Sequence, residues 1–256
     1  MSKVSSKRCL FNWSLVLTLA LLLFDKAISL AQINNTAIAA SVAPSKNDTN
    51  NMGIQFNIGP AIPLLNLGSP VYQSYNLDQK FRTGFASSGL SFNISANLFL
   101  KHDWGVIAKI TSARFSFNNA GFVTNKLAAG DTITNAHGSS HSLNAFLLGF
   151  GMRLPQGTAS LHPRFSMQVY ALAGLMNFQY GAISYDQDLM HIGLPSVTSN
   201  SLAINTGIAA SYNILKRIAL TLNIDLLTGN AKFPDQTAMS YSVFSTDIGL
   251  IIFLKH

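Results

Sequence analysis

From Met52 onward, apolar and small polar residues alternate with a period of two in segment after segment. The clearest case is Ser201 to Gly229. Leu202, Ile204, Ile208, Ala210, Tyr212 and Ile214 share one face of an extended strand, and Ala203, Asn205, Gly207, Ala209, Ser211 and Asn213 share the other, because strand side chains point alternately to opposite sides. After Leu215-Lys216-Arg217 the alternation restarts, with Ile218, Leu220, Leu222, Ile224 and Leu226 against Ala219, Thr221, Asn223 and Asp225. With those three residues as the turn, Ile214 faces Ile218, Tyr212 faces Leu220 and Ala210 faces Leu222. Apolar then meets apolar along a long antiparallel hairpin.

The same pattern predicts six further strands. Strand one is Gly53 to Ile58, closed by Pro60 and Pro63, which cannot donate to a ladder. Strand two, Gly89 to Leu100, sets Phe92, Ile94, Ala96, Leu98 and Leu100 against Ser91, Asn93, Ser95 and Asn97. Across Lys101-His102-Asp103, strand three places Trp104, Val106, Ala108 and Ile110 opposite Leu100, Leu98, Ala96 and Ile94. It runs to about Asn118, and its outer half (Ser112, Arg114, Ser116) loses the greasy phase. Strand four, Ser142 to Leu154, carries Phe146, Leu148, Phe150 and Met152 against Gly149, Gly151 and Arg153. Strand five runs from Phe165 to about Phe178, with Met167, Val169, Ala171 and Ala173 against Ser166, Gln168, Tyr170 and Gly174. The hairpin supplies strands six and seven, and Ser242 to Leu254 is strand eight. Residues 60–88, 118–140, 180–200 and 230–241 are long connections at one end, and the connections at the other end are short.

Composition decides which face is outside. The chain is 11% charged and contains no glutamate, against about 25% charged residues in ordinary soluble domains. A soluble lipid-carrying barrel would present Lys, Glu, Asp and Arg to water, whereas here the polar face is mainly Asn, Ser, Thr, Gly and Ala. Such residues fill a narrow lumen, so the greasy face meets lipid. Residues 1–31 read as an export signal: Lys3, Lys7 and Arg8, an apolar run from Leu15 to Phe24, and small residues before Gln32. The net charge falls from +7 to +4 without this segment, because it holds Lys3, Lys7, Arg8 and Lys26 against Asp25. Cys9, the single cysteine, lies within it, so the mature chain has no disulfide and no cysteine metal site. Residues 32–51, rich in Asn, Ala, Ser and Thr, read as a disordered leader, and 52–256 as the barrel. Nucleic-acid binding has no support, since no basic cluster interleaved with aromatics survives. The expected fold is all-β, an eight-stranded antiparallel up-and-down transmembrane β-barrel in the bacterial outer membrane.

The eight alternating segments, the turn Asn213 to Arg217, the export signal ending Leu30-Ala31-Gln32 and the terminal strand Asp247 to His256 resemble a known family. This is the small eight-stranded outer-membrane barrels of Gram-negative bacteria, particularly the PorT-like, OmpA/OmpX-type barrels of Bacteroidetes. Ile248, Leu250, Ile252 and Leu254 sit at the alternate positions such terminal strands use for recognition by the assembly machinery, and His256 departs from the aromatic that many members carry at the end. The leading expectation is a non-enzymatic barrel, monomeric in the membrane and in contact with outer-membrane lipid, whose surface loops or periplasmic rim engage another envelope molecule; the PorT-like resemblance implies support of envelope assembly or secretion. No cofactor is implied.

Three groups of residues carry candidate chemistry. His137-Gly138-Ser139-Ser140-His141, with Asp131 nearby, holds the types a nucleophile, base and orienting acid require, which makes a lipid A or phospholipid hydrolase or acyltransferase the rival class. The competing reading is a polar loop end, and metal binding by His137 and His141 lacks a third ligand. The first connection carries Tyr72, Tyr75, Lys80, Phe81, Arg82 and Phe85, more aromatic than a passive loop requires, and is the expected partner-binding loop. Phe99, Trp104, Phe165 and Tyr212 at the short-turn end, and Phe117, Phe178, Tyr180 and Phe244 at the other, read as aromatic girdles.

The third group lies in the lumen. Counted from the short turns, Asp225 and Asp247 fall at similar depth, where two carboxylates repel unless a cation approaches. Lys109 is the best-placed cation, with Arg153 nearer the periplasmic end. The expectation is a plug built on Lys109, Asp225 and Asp247, hydrogen-bonded to Asn223, Asn97 and Gln168. Eight strands leave an interior just wide enough for side chains to fill. A narrow ion or proton route along the same groups is the functional alternative.

Overall fold

Eight strands close on themselves. In the computed structural model, which describes residues 52–65, 67–68, 85–99, 103–154, 164–231 and 239–254, the barrel is formed by β1 (Met52–Leu65), β2 (Ala86–Phe99), β3 (Trp104–Phe117), β5 (His141–Arg153), β6 (Phe165–Tyr180), β9 (Val197–Leu215), β10 (Ile218–Ala231) and β11 (Met239–Leu254). Each strand pairs antiparallel with its neighbours in barrel order, and β1 pairs with β11 to close the circle. The expected signal and leader, and the turn at 100–102, lie outside the described residues.

The organising hairpin has the anticipated register over most of its length, with Tyr212 opposite Leu220 and Ala210 opposite Leu222. Its tip differs. Ile218 pairs with Leu215 and Ala219 with Asn213, across an irregularity between Ile218 and Ala219, so Ile214 does not face Ile218. An extra residue absorbed beside a tight turn shifts the register at that point alone. In the second hairpin, Ile94, Ala96 and Leu98 face Ile110, Ala108 and Val106, as the alternation requires.

Strand one does not stop at Pro60. β1 continues through Pro60 and Pro63 to Leu65, because both prolines fall where one ladder is open. The β1–β11 ladder is interrupted between Ile58 and Ala61, and Pro63 lies beyond the last β1–β2 pair, Ala61 with Gly89. Neither position asks for the N–H that proline lacks.

The outer wall carries an apolar band that includes Phe56, Phe92, Ile110, Phe146, Leu175, Leu202, Ile224 and Ile248, all exposed in the isolated chain. On β3, β5, β6 and β9 the band ends in register. The row Ile110, Phe146, Leu175 and Leu202 is followed one step outward by Ser112, Asn144, Asn177 and Asn200. A closed barrel leaves no open sheet edge, and with this exterior it spans a bilayer in the manner of bacterial outer-membrane barrels. The long connections then lie on the extracellular side.

Beyond the band the pattern inverts. Ser112, Arg114 and Ser116 point out while Ala113, Phe115 and Phe117 point in. The same inversion places Phe178 and Tyr180 inside. An outward Asn177–Asn200 hydrogen bond of 2.7 Å replaces apolar contact with lipid. The expected girdle of Phe117, Phe178 and Tyr180 is therefore an internal aromatic core, since above the bilayer water covers the outside and apolar rings are buried within. Phe99, expected in the lower girdle, also points inward, whereas Trp104 is exposed on the outer wall.

The second and third long connections are structured. Between β3 and β5 the chain forms α1 (Asn119–Ala128) and β4 (Ile133–Gly138), and between β6 and β9 the hairpin β7 (Ile183–Gln187) and β8 (Met190–Leu194). Strands β4, β7 and β8 make a separate three-stranded sheet. The Asn118 side chain starts α1 by accepting from the Gly121 N–H at 2.9 Å, as an N-cap does. Helix and small sheet form a cap on the extracellular mouth.

Candidate functional site

The lumen is layered. At the periplasmic end Ile251, Phe253 and Ala219 are buried together, and the Arg153 guanidinium lies 3.9 Å over the Phe99 ring. Next come amides: Gln55 Nε2 donates to Asn223 Oδ1 at 3.0 Å and to Asn57 Oδ1 at 3.2 Å, Asn97 Nδ2 donates to Gln55 Oε1 at 3.3 Å, and Thr221 Oγ1 donates to Asn57 Oδ1 at 2.8 Å. Above them sit the two carboxylates, and above these an apolar zone that includes Leu143, Leu147, Leu172, Met176 and Leu227.

Each carboxylate has its own partners. Lys109 Nζ lies 2.7 Å from Asp225 Oδ2 with both side chains about 4% exposed, and Tyr170 OH donates to Asp225 Oδ1 at 2.6 Å. The Lys109 ammonium also reaches Asn205 Oδ1 at 3.4 Å and stands 5.4 Å from the centre of the Tyr170 ring. Asp247, fully buried, accepts instead from neutral donors: Ser91 Oγ, Asn93 Nδ2 at 2.7 Å and Ser245 Oγ at 3.0 Å. Thr111 Oγ1 in turn donates to Asn93 Oδ1 at 2.6 Å. Neutral donors satisfy the oxygens of a buried carboxyl group for which no ion pair is present among the described residues.

Gly207 makes the first arrangement sterically feasible. A Cβ at this position would lie 2.6 Å from both Asp225 Oδ1 and Tyr170 OH, so any other residue would displace that hydrogen bond. A cavity of ≈ 10 Å³ beside Lys109, Asp225, Thr111 and Asn205 has room for about one water molecule.

The structure brings together most of the residues anticipated for the plug, in a different partition. Lys109 and Asp225 form the ion pair, Asp247 heads a second network, and Asn223 and Asn97 join the amide layer through Gln55. Asp247 pairs across the β10–β11 ladder with Asn223 rather than Asp225. Gln168 stands opposite Arg153 on the β5–β6 ladder and, among the described residues, joins none of these bonds. The narrow lumen expected to be filled mainly by Asn, Ser, Thr, Gly and Ala is corrected as well. The inward faces of β5 and β6 contribute Leu143, Leu147, Leu172 and Met176, which the alternation placed inside but whose apolar character the polar-face argument passed over.

The cap scatters the Ser/His group. His141 is fully buried in the aromatic core, its ring 4.3 Å from that of Tyr180 and edge-on to Phe117. Its Nδ1 accepts from the Gly181 N–H at 2.9 Å, and burial lowers its pKa to about 4, which keeps the imidazole neutral. His141 pairs with Phe115, beside outward Arg114 and Ser142, and so lies above the band. Ser139 Oγ donates to the Ala182 carbonyl at 3.3 Å, and His137 is exposed on β4 opposite Ser184 of β7. Ser140 is exposed at the entry to β5. Asp131 binds Lys126 Nζ at 2.9 Å and Gln187 Nε2 at 3.3 Å, tying α1 to β7 rather than orienting a histidine. Among the described residues, the histidine held by a carboxylate is His191, whose Nδ1 is 2.8 Å from Asp186 Oδ1. Hydrogen bonds from Asn135 and then His191 hold the Asp186 carboxyl below the usual range.

Phe85, anticipated as a partner contact, is a core residue. It is buried against Phe117 and Phe122, with the Phe122 ring edge-on at 5.3 Å, because α1 closes over it. Tyr72, Tyr75, Lys80 and Arg82 lie outside the described residues. What sequence reasoning missed is the cap itself. The signals were present: Asn118 three residues before Gly121, Phe122 and Lys126 at helical spacing, and Ile183 and Tyr185 alternating with polar residues.

No protein-family model matches the chain, and no curated protein matches it. Among solved structures it is similar to Neisserial surface protein A, with 13% identity, coverage of 80% of this chain and 97% of that one, and a TM-score of 0.43. It is similar to Ail, the attachment invasion locus protein of Yersinia pestis, at 15% identity over 78% of this chain and 98% of that one, with a TM-score of 0.41. It is also similar to a major outer membrane protein of Thermus thermophilus, at 13% identity over 78% and 98%, with a TM-score of 0.39.

Proposed function

We propose that this chain is a non-enzymatic outer-membrane barrel that engages another envelope or surface molecule through its extracellular cap. The observation that carries the reading is the tip of the β7–β8 hairpin. Asp188 and Leu189 both have positive φ, 48° and 68°, and Leu189 is fully exposed with Met190 beside it. A leucine in the left-handed region costs backbone strain, and its side chain packs against nothing in return. Leu127 at the end of α1 is exposed too. Apolar side chains presented on an ordered support above the membrane suit contact with a partner. Support of envelope assembly or secretion is the role that the PorT-like resemblance suggests for that contact.

The test is a photo-crosslinking residue at position 189 on intact cells, with one at Asn230 as control. A discrete adduct from position 189, absent at 230 and lost when Met190 is also changed to Ser, supports the reading. Surface-displayed, folded protein that yields no adduct at 189 sinks it.

A further inference from the structure

The outer wall on the β3–β5–β6–β9 side meets the membrane boundary in three consecutive rows. The innermost is the apolar row that begins at Ile110, and the second is Ser112, Asn144, Asn177 and Asn200. The third is Arg114, Ser142, Gln179 and Thr198. The change from hydrocarbon-like to amide and hydroxyl chemistry happens in one step across four adjacent strands, a width of about 15 Å at strand spacing. A groove of ≈ 550 Å³ runs across this step, with Ile110, Phe146 and Leu175 on its apolar side and Asn144, Asn177 and Asn200 on its polar side.

We infer that this groove binds a phosphorylated glycolipid of the outer leaflet, with acyl chains against Phe146 and Leu175 and headgroup on the asparagine row. The position selects a lipid, because the groove is half inside the apolar band and half outside it. Charge selects the headgroup. Arg114 is exposed on β3 one step above Ser112, beside Ser142 at the edge of the asparagine row, the second and third rows contain no carboxylate, and no acid pairs with Arg114 among the described residues. A guanidinium there offers a phosphate two parallel donors. Neutral amides suit sugar hydroxyls, which both donate and accept. The bond from Asn177 Nδ2 to Asn200 Oδ1 uses one half of each amide and leaves Asn177 Oδ1 and Asn200 Nδ2 as an acceptor and a donor for a headgroup.

The experiment is a titration of the refolded full-length mature protein in detergent, with bound lipid counted by native mass spectrometry. The probes are lipid A with its phosphates, the same lipid dephosphorylated, phosphatidylglycerol and inorganic phosphate. The expected order places intact lipid A first. Arg114→Gln should weaken it about three- to tenfold, the range from an exposed ion pair to a charge-assisted hydrogen bond, and should leave dephosphorylated lipid A unchanged. Asn144→Leu with Asn177→Leu should weaken both forms. Arg217→Gln, at the opposite end, is the control and should change nothing. All variants alter outward side chains, and heat-modifiable mobility verifies that each is folded. Equal retention of lipid A by wild type and Arg114→Gln would overturn the inference. So would phosphatidylglycerol bound as tightly as lipid A, or inorganic phosphate displacing the lipid.

Discussion

Replacing Lys109 with Met tests the interior most directly, because it removes a charge and keeps the length of the stem. Lys109 and Asp225 are each about 4% exposed and 2.7 Å apart, so the variant strands a carboxylate that retains Tyr170 as donor but has lost its cation. Breaking a buried pair from one side costs about 3–5 kcal/mol. The neutral pair Lys109→Met/Asp225→Asn should return to within about 1 kcal/mol of wild type, because Asn still accepts from Tyr170 and no unpaired charge remains. Urea unfolding of lipid-reconstituted wild type, Lys109→Met, Asp225→Asn and the double variant, read as loss of heat-modifiable mobility, gives the four free energies of the cycle. The cycle should show a coupling of at least about 2 kcal/mol between the sites. The reasoning fails if Lys109→Met unfolds within about 1 kcal/mol of wild type, or if the double variant is as unstable as the two single changes added together.

Leu222→Arg should fail in assembly, since Leu222 faces lipid between Ala210 and Ile248 and arginine at mid-bilayer costs about 2–4 kcal/mol. Asn223→Leu, on the inner face, should cost only about 1–2 kcal/mol, because Gln55 keeps its bond to Asn57; the reverse order on unboiled gels would invert the inside and outside assignments. Planar-bilayer recording of wild type should be silent, with openings appearing in Lys109→Ala, and steady porin-sized openings in wild type would refute a packed lumen. His141, with a pKa near 4 in the fold against 6.5 for the free side chain, stabilises fully above pH 6.5 and loses its contribution as pH falls toward about 4. His141→Phe should flatten that part of the stability–pH curve measured by urea titration, and an unchanged slope would show that another group is responsible.

Alternation determined the strands and their pairing, and the weakly charged composition of the polar face determined that the greasy face meets lipid. A residue's place in a strand decides its face, so the lipid-facing Leu220, Leu222 and Ile224 and the inward Asn223 and Asp225 were legible one residue at a time, as was the pairing that sets Tyr212 against Leu220. Depth was legible too, by counting from the short turns, which is why Lys109, Asp225 and Asp247 were placed together. Tertiary structure decided which of them bond. Strand stagger carries Lys109 across the lumen to Asp225, and it brings Ser91 and Asn93 of β2 onto Asp247, contacts between residues more than 100 positions apart. It also decided the cap. Phe85, Phe117, Phe122 and Tyr185 come from four separate segments, and none has a local signal that it buries the others. Period two says which residues share a face, but whether that face meets lipid, water or a ring from a distant loop depends on height along the barrel axis. That height is a property of the closed sheet.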